Sequence, residues 1–77
     1  MSRLAKIVSD ILGVAPSEIQ DSSGPPQYPQ WDSAAHIDIV LSVEAEYRVA
    51  FTPEEMTEAL SVGALRELLR QKGARLE

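Results

Sequence analysis

The sequence contains no cysteine and a single histidine. Disulfide stapling is excluded, and a structural zinc site, which draws on Cys and His ligands, has too few of them. Aromatics are scarce as well, with one Trp, one Phe and two Tyr in 77 residues, so any core is mainly aliphatic. Apolar runs end at three residues, as in Ile39-Val40-Leu41 and Val49-Ala50-Phe51. Such runs are too short for a spanning helix or for the apolar stretch of a secretory signal, and a cytoplasmic chain is expected. At 8.4 kDa the chain lies below the usual domain size of roughly 100–150 residues. Residues 1–75 are expected to form one domain, and Leu76-Glu77 match a common vector-derived junction before a purification tag. With 44% hydrophobic residues the chain should fold, and helix packing is the means left to a small domain without disulfides or metal.

The net charge is −5, unevenly placed. Between Glu18 and Glu58 stand nine acids against one base, Arg48, a balance of −8, whereas the flanks hold three acids and six bases, a balance of +3. An acidic block of this kind repels phosphate backbones and attracts basic protein surfaces, which argues against nucleic acid as partner. A solvated acidic face with no partner is the simpler explanation of the charge alone. The same charge opposes self-association, so a monomer is expected.

Leu4, Ile7, Val8, Ile11 and Leu12 have the spacing of one helical face, and Gly13 suits a left-handed cap after them. Pro16-Ser17-Glu18-Ile19 can add a short turn. The stretch from Gln20 to Gln30 holds three prolines and a glycine and predicts a long loop that cannot propagate helical hydrogen bonds. Asp32 stands where an N-cap is wanted, ahead of a run without Gly or Pro from Ser33 to Arg48 that predicts a second helix. Thr52-Pro53-Glu54-Glu55 is a capping box with proline at the first helical position, predicting a short third helix to about Leu60. Ser61 can cap a fourth helix in which Val62, Leu65, Leu68 and Leu69 share a side, ending near Gly73. The expected fold is all-α, a small four-helix bundle with a long first crossover and a short third helix.

The second helix carries two apolar stripes. Ile39, Val40, Val43 and Tyr47 share one sector, expected to pack on the first and fourth helices. Ala34, Ile37 and Leu41 fall on a sector roughly 140° away, interleaved with Asp38, Glu44 and Arg48. A helix in so small a domain is not readily buried on two sides. Ile37 and Leu41 are therefore expected at the surface, rimmed by carboxylates, unless the proline-rich loop folds over them. Ser33 lies in the first turn, where unpaired amides and the helix dipole favour a nearby anion such as a phosphate. From Asp32 and Ser33 alone, ordinary capping is the commoner explanation.

The whole pattern resembles the acyl carrier protein and peptidyl carrier protein family over residues 3–72. The resemblance is carried by Trp31-Asp32-Ser33-Ala34-Ala35-His36-Ile37 at the place of the family's Asp-Ser-Leu-type motif, and by the passage Val49 to Glu55 at the turn into the third helix. It implies that Ser33 is the attachment point of 4′-phosphopantetheine, transferred from coenzyme A by a separate phosphopantetheinyl transferase. The chain would then have no catalytic activity of its own. The arm's thiol would hold an acyl or aminoacyl group as a thioester. Asp32 resembles the family acid that helps bring the transferase and its metal into position. Asp38 and Glu44 match acidic positions of the family's recognition helix, with Ala34, Ile37 and Leu41 as the apolar part of the contact. Acyl- or aminoacyl-loading ligases and downstream biosynthetic enzymes with basic docking surfaces are the implied partners. Ala34 departs from the usual leucine. Trp31 stands where fatty-acid-synthesis carriers usually have small residues, and the arrangement looks more like discrete carriers of specialised pathways.

Two other readings use the same residues. Ser33, His36 and Asp38 could be parts of a hydrolase, since Ser and His at i, i+3 can touch on a helix, although a triad also needs an oriented acid, an oxyanion site and a pocket. Alternatively, the domain is never modified and acts as a scaffold that binds proteins through the acidic helix 33–48. His36, beside the core sector, is expected to be partly buried with a hydrogen bond to a loop carbonyl; contact with the arm's phosphate is its functional alternative.

Overall fold

A computed structural model describes residues 3–74; Leu76 and Glu77 lie outside them. Among the described residues there are four helices and no strand: α1 (Arg3–Leu12), α2 (Ser33–Tyr47), α3 (Pro53–Glu58) and α4 (Val62–Gln71), with a 3₁₀ turn at Pro16–Glu18 after α1. None of these helices is long and apolar enough to cross a membrane.

The helices begin and end for local reasons. Oδ1 of Asp32, Oγ1 of Thr52 and Oγ of Ser61 accept the amides of Ala35, Glu55 and Ala64 at 2.9, 3.1 and 3.1 Å, capping α2, α3 and α4. In the expected capping box, Glu55 Oε1 also accepts the Thr52 amide at 2.9 Å. Gly13, at φ +75°, ends α1. The second helix stops one residue short of expectation. Arg48 leaves it in the left-handed region at φ 57° while its amide still donates to the Glu44 carbonyl. No glycine is available there, so a residue with a Cβ accepts a conformation that costs roughly 1–2 kcal/mol.

α1 is the element against which α2, the 3₁₀ turn and α4 all rest. Its buried stripe is Leu4, Ala5, Val8, Ser9 and Leu12, with Ile7 and Ile11 half-buried at the edge. The Ser9 hydroxyl is satisfied inside the helix, donating to the Lys6 carbonyl at 3.0 Å. Ile39, Val40, Val43 and Tyr47 of α2 and Val62, Leu65 and Leu69 of α4 complete the core, while Leu68 is half-buried. Burying each such aliphatic side chain contributes roughly 1.5–3 kcal/mol relative to exposure. As expected, the buried stripe of α2 shares one core cluster with the buried residues of α1 and α4. The backbones of α2 and α4 approach each other less closely than either approaches α1.

The long crossover is more ordered than its prolines suggest. Pro25, Pro26 and Pro29 do exclude a helix, but the segment folds as consecutive turns, with amides of Ser23, Gln27, Tyr28 and Trp31 donating to carbonyls three residues back at 2.9–3.2 Å. It then seats on the start of α4. The Val62 and Gly63 amides donate to the Ser23 and Asp21 carbonyls at 2.9 and 2.8 Å. With Ser61 capping Ala64, the first three amides of α4, which a helix cannot satisfy internally, all have acceptors. Arg66 Nε adds an ion pair to Asp21 at 3.1 Å. Gln30 Nε2 donates to the Leu12 carbonyl at 3.2 Å, serving the end of α1.

Gly24 makes the seat possible, since a Cβ there would lie 2.5 Å from the Leu60 carbonyl oxygen. Gly24→Ala is expected to destabilise the domain by about 1–3 kcal/mol in urea unfolding through overpacking against backbone. Unchanged stability would show that the loop does not run against Leu60.

At the other end, Lys72 Nζ meets Glu55 at 2.9 Å and lies 5.5 Å from the Phe51 ring centroid, joining α3 to the end of α4. The Lys72 hydrogen bond, then the Thr52 amide, hold the Glu55 carboxyl below its ordinary value of 4.5. A lowered carboxylate stabilises the fold above its unfolded value, and the contribution is lost as pH falls through the folded one. Glu55→Gln keeps the capping reach without the charge. Its melting temperature should be lower than the parent's above about pH 4.5, and the gap should close on further acidification; a gap independent of pH would refute the link.

Candidate functional site

The start of α2, the end of the crossover and α3 enclose an open groove of about 430 Å³. Asp32, Ser33, His36 and Ile37 line it from α2, Met56, Thr57 and Leu60 from α3 and the residue pair after it, and Pro25 and Trp31 from the crossover. Pockets that hold small molecules run from roughly 300 to 1,000 Å³.

Ser33 is the first residue of α2, and Asp32 is its cap. Ordinary capping therefore explains Asp32 but not Ser33. The serine is exposed at the groove rim, and its hydroxyl has no hydrogen-bond partner among the described residues. Its position in the first turn favours an anion on that oxygen.

Trp31 is nearly fully buried, at 3% exposure. Its indole Nε1–H donates to His36 Nδ1 at 3.1 Å, and His36 Nε2 lies 2.8 Å from the Met56 carbonyl oxygen. The indole can only donate and the carbonyl can only accept, which fixes the neutral imidazole with its proton on Nε2. The two rings stack with centroids 6.2 Å apart. His36 is partly buried as expected, but the carbonyl it reaches belongs to α3 rather than to a loop. Both ring nitrogens are engaged, so no lone pair is left for the Ser33 hydroxyl, and Ser33, His36 and Asp38 do not form a relay.

The second stripe of α2 is uncovered. Ile37 and Leu41 are 47% and 55% exposed, and Ala34 and Asp38 are exposed beside them; the crossover does not fold over these side chains. Glu44 is different. It is half-buried, and its Oε2 accepts the Phe51 amide at 2.7 Å, fastening the α2–α3 connection. Its carboxylate is thus committed within the fold, unlike the exposed Asp38, Glu54 and Glu58, which make no ion pair among the described residues.

Sequence reasoning missed Leu60, 53% exposed on the groove, because it follows α3 and belongs to no periodic stripe. It also missed the burial of Trp31. A signal was present: Trp31 and His36 occupy the positions before the cap and four into the helix, where a staple pairs side chains across a helix start.

Asp32→Ala should cost about 1 kcal/mol of stability in chemical denaturation through the lost cap, with Ser33 as exposed as before; no loss would mean the α2 amides find another acceptor. No protein-family model matches the chain, and no curated protein matches it.

Proposed function

We propose that this protein is a discrete acyl-carrier-protein-like domain that holds intermediates as thioesters on a 4′-phosphopantetheine arm attached to Ser33. One observation carries the reading. The hydroxyl at the head of α2 is exposed and released from capping duty by Asp32, so it is presented to an incoming enzyme rather than used by the fold.

The residues suit such a group. Ser33 would bear the phosphodiester, and the first turn of a 15-residue helix favours that anion. Asp32, already oriented by the Ala35 amide, faces the groove beside it and would meet the transferase and its metal. The arm, when bound, supplies a thiol that forms thioesters. The chain's own part is to present the oxygen and offer an apolar groove next to it. Phosphopantetheinyl transferase, loading ligases and later biosynthetic enzymes would dock on the exposed Ala34, Ile37 and Leu41 with Asp38 at the rim. Glu44 contributes to that face less than its sequence position implies, being bonded to Phe51.

Incubation with coenzyme A and a broad-specificity phosphopantetheinyl transferase, followed by intact-mass measurement, should give one phosphopantetheinyl adduct, and Ser33→Ala should give none. An unmodified parent chain would favour the protein-binding scaffold. An adduct persisting in Ser33→Ala would move the attachment elsewhere.

A further inference from the structure

One member of the Trp31–His36–Met56 bridge has a role that a proton can change. The chain holds a single Trp and a single His, and the two are bonded to each other. The indole Nε1–H donates to His36 Nδ1 at 3.1 Å, while Nε2 lies 2.8 Å from the Met56 carbonyl oxygen. Indole and carbonyl cannot exchange roles, because the first only donates and the second only accepts. The imidazole can. Uptake of a proton makes both of its nitrogens donors. The bond to Met56 survives that change and gains charge assistance, but at Nδ1 two N–H groups then oppose each other. Trp31 is 3% exposed, so an indole N–H stripped of this acceptor is desolvated and unpaired, which is costly.

We propose that His36 is a proton-operated latch: neutral, it seats Trp31 in the crossover wall of the groove; protonated, it releases Trp31 and keeps its hold on α3. The seated form carries no proton on Nδ1 and the released form carries one, so acid populates the released form. The range that matters is about pH 8 to 5, where imidazole titrates. Within it the ratio of released to seated molecules grows by up to about ten-fold per pH unit. Charges around the ring do not oppose the change. Among the residues that line the groove with His36 only Asp32 is charged; the crossover contributes Pro25 and Trp31, and α3 contributes Met56 and Thr57. Elsewhere on α3, Glu54 and Glu58 are exposed, and Glu55 is paired with Lys72 and held below its ordinary value of 4.5, so it stays ionised over the range. These carboxylates favour an imidazolium. The movement is local, because the Ser23 and Asp21 carbonyls keep the crossover on the head of α4 and Gln30 keeps it on Leu12 through groups that do not titrate. What yields is the lead into Asp32 and Ser33. The latch therefore acts on the rim of the groove independently of any group on Ser33.

With one Trp and one His in the chain, the unmodified protein reports on this pair directly. As pH is lowered through that range, Trp31 is followed by acrylamide quenching of its fluorescence and by its indole ¹H–¹⁵N resonance, and His36 by its ring ¹⁵N shifts. His36 is expected to begin as the Nε2–H tautomer. Its protonation should coincide with a rise in quenching and a shift of the indole resonance, while the amides of the buried Val40 and Leu65 stay in place. His36→Gln offers one acceptor and one donor but takes up no proton, so Trp31 should remain shielded throughout. Trp31→Phe keeps an aromatic ring in the seat without a donor against Nδ1, and its melting temperature should fall less than the parent's across the range. If His36→Gln does not fold, the parent titration and Trp31→Phe decide. A Trp31 still shielded at the acid end, a His36→Gln protein that responds like the parent, or an equal fall in Trp31→Phe would each overturn the latch. So would loss of the Val40 and Leu65 amides together with the indole signal, which would mean global unfolding.

Discussion

The bridge from Trp31 through His36 to the Met56 carbonyl is the interaction on which the site depends. It joins the end of the crossover, the first turns of α2 and the backbone of α3 through two hydrogen bonds on one imidazole. A buried indole N–H without an acceptor would carry a desolvation cost, so the imidazole is required by the tryptophan as much as by the helix start. Because the ring is neutral and held at both ends, it acts as a strut. Groove and serine rim inherit their geometry from it.

The same principle governs the crossover. A proline-rich segment offers few donors, and its carbonyls need partners of their own; the unsatisfied amides at the head of α4 supply them through Ser23 and Asp21. Each region thereby solves the other's hydrogen-bond problem. The close pass of Gly24 against the Leu60 carbonyl is the steric side of that arrangement, and Leu60 itself lines the groove. A segment without regular structure is thus fixed well enough to form one wall of a site.

Much of this was legible in the sequence because it is local. The caps at Asp32, Thr52 and Ser61, the stop at Gly13 and the buried stripe of α2 follow from spacing and side-chain chemistry within a few residues. The exposure of Ile37 and Leu41 followed from a helix having more apolar surface than a small core can cover. What escaped are pairings between distant residues. Glu44 has the look of a surface acid until the chain turns back and brings it the Phe51 amide. Met56 enters through its backbone oxygen, which no side-chain pattern encodes, and the left-handed exit at Arg48 has no glycine to announce it. The relation of α1 to α2 and α4 is likewise a matter of tertiary arrangement.

The two sides of the groove are held in different ways. α2 is sewn into the core by four buried side chains, whereas the six residues of α3 include none that is fully covered. Of its side chains only the half-buried Met56 packs against the core, and its other attachments are polar: the His36 contact to the Met56 carbonyl and the Lys72 pair to Glu55. Displacing α3 outward would break those links but strip no fully covered side chain of the helix itself from the interior. The groove has one fixed jaw, which bears Ser33, and one jaw hung on removable pins.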